Sequence, residues 1–135
     1  MSAILTRRAR FSAAHRLSSE HLSDSENENL FGKCFNPNGH GHNYEIEVSV
    51  RGSIDAKTGL VMNLSDLKSI IEKEIISRFD HKNLNLDTEE FSKLNPTAEN
   101  IAAVCFKILS QSLGKLLYEV RIKETENNFA IVRAE

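Results

Sequence analysis

Tryptophan is absent from this chain, and its 135 residues include only two cysteines, two prolines and six glycines. The cysteines keep different company, Cys34 in a glycine-rich stretch and Cys105 inside an apolar helical pattern. That placement argues against a disulfide framework and for a reducing compartment. No apolar run approaches the roughly 20 residues of a membrane span. The basic start Met1-Ser2-Ala3-Ile4-Leu5-Thr6-Arg7-Arg8 has no apolar run behind it, so no leader is expected. A surplus of one charge is missing as well: 17 Lys and Arg face 19 Asp and Glu, a formal net charge of −2. Charge therefore offers no ground for a nucleic acid or an anionic membrane as partner. The expectation is a cytoplasmic protein with a single domain over residues 1–135, because 40% hydrophobic residues at this length fill one core rather than two.

What is present is periodic. From Leu5 to His15 the odd positions Leu5, Ala9, Phe11 and Ala13 are apolar and most even ones polar, a half-buried strand with His15 on its inner face. Ser18 to Asn29 is acid-rich without an apolar period and reads as a solvated loop containing His21. From His42 the alternation resumes through Tyr44, Ile46, Val48 and Val50, a second strand. Asn63 caps a helix expected over residues 64–79, with Leu67, Ile71, Ile75 and Phe79 recurring at helical spacing. After Asp80 and His81 comes a polar connection, and a second helix starts with Pro96 or Thr97 at its first positions and Glu99 in its first turn. Tyr118, Val120 and Ile122 alternate again, Asn127-Asn128 makes a turn, and Phe129 to Arg133 closes a hairpin. The order ββααββ is an α+β fold, a four-stranded antiparallel sheet with two helices packed on one face. Its free edges make oligomerisation plausible.

The chemistry concentrates between Gly32 and Tyr44. His40 and His42 are two apart at a strand entry, so their side chains share one face, about 6–7 Å apart at the backbone. By parity His15 reaches the same face if the strands are neighbours, and three neutral imidazoles with an open position make a catalytic zinc site. Imidazole ligands leave iron, nickel and cobalt open, and His15 alone also reads as a satisfied core histidine. Cys34 beside such a site is a base or nucleophile, or else a small buried residue; Cys105, among Val104, Phe106 and Ile108, is core. Asp80-His81 reads either as a carboxylate orienting an imidazole or as a polar helix end. Glu124 falls on the apolar parity of its strand. It is a carboxylate awaiting a ligand with paired N–H groups, or a solvated residue beyond the strand's end.

Phe11-Ser12-Ala13-Ala14-His15-Arg16-Leu17, Phe31-Gly32-Lys33-Cys34, Asn36-Pro37-Asn38-Gly39-His40-Gly41-His42-Asn43-Tyr44, Asp80-His81-Lys82-Asn83-Leu84 and Glu124-Thr125 together closely resemble the 6-pyruvoyl tetrahydropterin synthase family. The resemblance implies the tunnelling fold, with trimeric barrels stacked into a homohexamer and active sites between subunits. It implies His15, His40 and His42 as ligands of Zn2+, Cys34 as the proton-abstracting base, and Asp80 with His81 completing the catalytic set. Glu124 is implied as the anchor of the pterin ring, with Thr97 and Glu99 near the pocket. The implied reaction converts 7,8-dihydroneopterin triphosphate to 6-pyruvoyl tetrahydropterin with loss of triphosphate, in tetrahydrobiopterin biosynthesis. Five residues between Cys34 and His40 favour the synthase over the related carboxy-tetrahydropterin synthases of the queuosine pathway, whose loop usually has three. A non-enzymatic metal-binding protein on the same fold is the other alternative, and the presence of every motif acid, base and ligand speaks against it. Lys33, Arg16 and Lys82 are candidates to hold the triphosphate.

Overall fold

The computed structural model describes residues 1–135. Five strands, β1 (Ser2–His15), β2 (His40–Ser53), β3 (Lys82–Asn83), β4 (Leu117–Thr125) and β5 (Asn128–Arg133), form one sheet in the order β3-β1-β2-β4-β5. The helices are α1 (Asp24–Phe31), α2 (Leu64–Ile71), α3 (Ser77–Phe79), α4 (Leu84–Asp87) and α5 (Ala98–Leu113). The fold is α+β. No helix is long and apolar enough to cross a membrane.

The alternation seen in the sequence becomes the core. Phe11 faces Tyr44 across β1 and β2, and Ile46 and Val48 face Ile122 and Val120 across β2 and β4. These side chains are fully or almost fully buried against Leu67, Ile71, Ile75, Ile101, Cys105 and Leu109 from the helices. Burial pushes the Cys105 thiol far up, so it packs as an apolar group.

The sheet is mixed, which corrects the expectation of four antiparallel strands. β3 is only two residues long and runs parallel to β1, pairing Lys82 with Ala13 and Asn83 with Ala14. Two polar residues carry no alternation to read. The chain reaches this position because His81 takes a left-handed conformation (φ 62°), the one non-glycine residue to do so.

Residues 64–79 are helical as expected, but α2 passes through a π-helical turn, Glu72–Ile76, before α3. Leu67, Ile71, Ile75 and Phe79 are spaced by strict fours, and in an unbroken α-helix that row drifts about 40° per step. The wider π turn takes up part of the drift, and all four side chains are buried. The same turn sets where the helix ends, and so where Asp80 and His81 begin.

Three smaller expectations also change. The acid-rich stretch is not wholly a loop: Ser23 and Glu26 form a reciprocal capping box that starts α1. Asn27 is buried there in place of an apolar residue, its carboxamide donating to the carbonyls of Ser19, Leu22 and Ser23. Thr97 is the N-cap of α5 rather than its first residue, its hydroxyl accepting from Asn100 N–H. The hairpin turns at Glu126 and Asn127, one residue earlier than expected.

Candidate metal centre and active site

The register of β1 and β2 sets His15 opposite His40 and Ala13 opposite His42. Residues directly opposite in an antiparallel pair share a face, so all three imidazoles project to the same side at one end of the sheet. Gly39 makes the approach feasible. Its φ is 71°, and a Cβ there would stand 2.7 Å from the His15 carbonyl oxygen.

The three rings stand mutually edge-on, with centroids 4.9 Å apart for His15 and His40, 5.1 Å for His15 and His42, and 4.7 Å for His40 and His42. His40 Nε2 is 3.3 Å from His15 Nε2 and 2.9 Å from His42 Nε2. His15 is fully buried and donates from Nδ1 to the Pro96 carbonyl at 2.8 Å, which leaves its Nε2 a lone pair. The Tyr44 hydroxyl lies 3.2 Å from the same Nδ1. Burial holds both His15 and His42 below the ordinary imidazole value, so the cluster resists answering its own lone pairs with protons.

The three nitrogens are candidates to hold one divalent cation. A tetrahedral ion with nitrogen ligands at about 2.0–2.1 Å sets those ligands about 3.3 Å apart, close to the 3.3 Å and 2.9 Å that separate His40 Nε2 from His15 and His42. The donor set therefore fits a metal, and the His15 contact to Pro96 is the outer hydrogen bond that such a ligand needs.

Two further groups border the cluster. Cys34 sits in a short 3-10 turn, Gly32–Phe35, with its Sγ 3.7 Å from His40 Nε2 and its carbonyl accepting from Leu17 N–H at 2.7 Å. Burial, and then the charge of Glu124, push its thiol up, so the chain by itself keeps it protonated. His15, Cys34 and His40 have donor atoms within 4.8 Å of one another, and so do His15, His42 and Glu124. Glu124 lies inside β4, 3.6 Å from His42 Nε2 and with a side chain only 17% exposed. The alternative of a solvated Glu124 past the strand end is thereby removed.

Glu124 also lines a crevice of about 550 Å³ together with Thr97 and Glu99, whose remaining walls include Leu17, Phe31 and Phe129. The sequence had offered Thr97 and Glu99 only through resemblance. The apolar walls lay hidden, because nothing in the local pattern distinguishes Phe31 or Leu17 from packing residues. Lys33 borders a second cavity of about 440 Å³ with Cys34, Asn36, His40 and His42.

Asp80 and His81 lie apart from Cys34. Asp80 Oδ1 accepts from Ser12 N–H at 2.9 Å and its Oδ2 accepts from His81 Nδ1 at 2.9 Å. Those two donors, the backbone one first, hold the Asp80 carboxyl below its ordinary value. The His81 ring is 83% exposed and shares a depression of about 430 Å³ with Ser12, Asn43, Lys82 and His42. No hydrogen bond or ion pair joins this dyad to Cys34 or Glu124.

Residues 4–135 match the family model described as 6-pyruvoyl tetrahydropterin synthase. The human 6-pyruvoyl tetrahydrobiopterin synthase is 49% identical over 132 residues, covering 97% of this chain and 91% of the human one. The solved structure of the Caenorhabditis elegans 6-pyruvoyl tetrahydropterin synthase superposes with a TM-score of 0.94 at 41% identity, covering 100% of this chain and 97% of that one. A 6-carboxy-5,6,7,8-tetrahydropterin synthase of Haemophilus influenzae is more distant, 33% identical over 129 residues, with 81% of this chain and 87% of that one covered.

Proposed function

From the premise that this chain belongs to the 6-pyruvoyl tetrahydropterin synthase family and is an enzyme of that family, we propose that it converts 7,8-dihydroneopterin triphosphate to 6-pyruvoyl tetrahydropterin with elimination of triphosphate, using zinc. The observation that carries this reading is the meeting of three imidazole nitrogens with the Cys34 thiol on one side, 3.7 Å from His40, and the Glu124 carboxylate on the other, 3.6 Å from His42. A metal site, a base and a substrate anchor then stand within one substrate's length.

His15, His40 and His42 would hold the zinc. Bound there, it would supply a Lewis-acid charge that makes a neighbouring substrate C–H more acidic and favours the Cys34 thiolate. Glu124 accepts the paired N–H groups of the pterin ring, a charge-assisted bidentate contact in a half-buried crevice. Leu17, Phe31 and Phe129 flank the ring and shed water from it. So oriented, the substrate presents its side chain to Cys34, which removes the proton on carbon. Asp80 fixes the His81 ring through Nδ1, leaving Nε2 free to relay protons. The net change expels triphosphate and shifts hydrogen within the substrate, so no external reductant enters.

His81 is separated from Cys34 within one chain, which suits a homohexamer of two trimeric barrels in which neighbouring subunits complete each site. The protein works in the cytoplasm on this reading, as a one-domain subunit. The five residues between Cys34 and His40 and the greater similarity to the human synthase favour this reaction over formation of a carboxylated pterin. The test is triphosphate release from the zinc-loaded protein. Wild type releases it, Cys34→Ala loses turnover by at least about 10²-fold while keeping its metal, and full turnover by that variant would remove Cys34 as the base.

A further inference from the structure

The chain after α3 is fastened to β1 residue by residue. Asp80 and His81 hold Ser12, the latter through His81 N–H to the Ser12 carbonyl at 2.6 Å, and β3 pairs with Ala13 and Ala14. Past the end of β1, the Asn85 side chain takes over. Its Oδ1 accepts from Arg16 N–H at 2.7 Å and its Nδ2 donates to the Arg16 carbonyl at 2.9 Å. A side-chain amide thus fills both hydrogen-bonding positions that a neighbouring strand would fill.

Arg16 stands between the two halves of the site. His15 before it is a member of the imidazole cluster, and Leu17 after it donates to the Cys34 carbonyl at 2.7 Å. The Arg16 side chain grips the same turn, with Nε donating to the Phe35 carbonyl at 3.2 Å and the guanidinium lying 4.4 Å over the Phe35 ring. Residues 15–17 therefore form a short rail, with the metal cluster attached at one end and the Cys34 turn along the rest. Asn85 is the group that holds the middle of that rail to the body of the protein.

We propose that Asn85 is a positioning residue for the reaction, keeping Arg16 and through it the Cys34 turn in register with the three histidines. This rests on the reading of Cys34 as the base. The carboxamide is separable from the anchoring of its own helix, because Leu84 is fully buried and Asn83 caps α4 by accepting from the N–H groups of Asn85 and Leu86. Without the carboxamide, α4 stays in place while the rail gains freedom. Misplacement of a reacting group by about 1 Å costs up to roughly 10²-fold in rate, so even a small release is visible in kcat.

The experiment compares Asn85→Ala and Asn85→Asp as zinc-loaded full-length protein, in the wild-type and the Cys34→Ala backgrounds. Asn85→Ala is expected to lower kcat about tenfold with KM changed by less than about twofold and zinc content unchanged. Asn85→Asp keeps the acceptor for Arg16 N–H but sets a carboxylate oxygen against the Arg16 carbonyl in place of the donor, so kcat falls at least as far as in Asn85→Ala. In the Cys34→Ala background, Asn85→Ala changes the residual rate by less than about twofold, because the group it positions is already gone. Wild-type kcat in Asn85→Ala, or an equal loss in both backgrounds, overturns the proposal and leaves the reading of Cys34 standing. Full turnover by Cys34→Ala alone overturns that reading, and the proposal with it. Should Asn85→Ala fail to fold, Asn85→Asp decides alone, a kcat-only loss supporting the proposal and wild-type kinetics overturning it.

Discussion

The Nε2 atoms of His40 and His42 lie 2.9 Å apart across a single intervening glycine, in rings turned 85° to each other. The Glu124 carboxylate stands 3.6 Å from His42 Nε2. With a proton on one Nε2 the contact is a hydrogen bond, and a cation bound by both nitrogens would replace it.

Removing the metal is therefore expected to destabilise the protein. A ligand present at 100 times its dissociation constant stabilises the folded state by about 2.7 kcal/mol. For a chain of this length, chelation lowers Tm by roughly 10 °C, and re-addition of zinc restores it. His42→Ala removes the metal and lies at the lower Tm regardless of chelator. An unchanged Tm on chelation, with metal content verified by elemental analysis, contradicts the site.

Gly39 offers an independent check on how the histidines are delivered. Gly39→Ala must place a Cβ 2.7 Å from the His15 carbonyl while holding φ at 71°, and should cost about 1–3 kcal/mol together with some metal affinity. Gly59→Ala is the control. Its φ is 75°, but no atom lies within 4 Å of the added Cβ, so it bears the backbone penalty of about 1–2 kcal/mol alone and keeps full metal content. Equal metal content in the two variants contradicts the part assigned to Gly39.

Asp80 gives the stability a pH dependence of known sign. Its carboxyl is held below the ordinary value of 3.8 by Ser12 N–H and His81. The folded state consequently binds fewer protons than the unfolded one as pH falls through that region. The stabilisation is complete above the unfolded value and is lost as pH drops through the lowered folded one. Denaturant midpoints of wild type and Asp80→Asn should differ most near neutral pH and converge below pH 3.8. A gap that stays constant with pH assigns the Asp80 contacts no ionic component.

Much of this arrangement was legible in the sequence, for reasons that particular residues make plain. The alternation through Phe11, Ala13 and His15 and through His42, Tyr44 and Ile46 fixed which face each side chain takes, and faces are what bring the three imidazoles together. Glu124 was legible by the same parity. β3 was not, because two residues have no period, and its position depends on the left-handed turn at His81. α1 escaped because its capping box, Ser23 with Glu26, precedes no apolar stripe. The Pro96 carbonyl, which orients His15 from 81 positions away, left no trace in local pattern. Asn85 was hidden for the same reason, since its partner Arg16 is 69 positions distant. Asp80-His81 was found as a pair, while its separation from Cys34 required the folded chain.

The most direct measurement is incubation of the zinc-loaded protein with 7,8-dihydroneopterin triphosphate and identification of the pterin product by mass spectrometry. The expected products are 6-pyruvoyl tetrahydropterin and inorganic triphosphate. A carboxylated tetrahydropterin accompanied by acetaldehyde, or recovery of intact substrate, would contradict it.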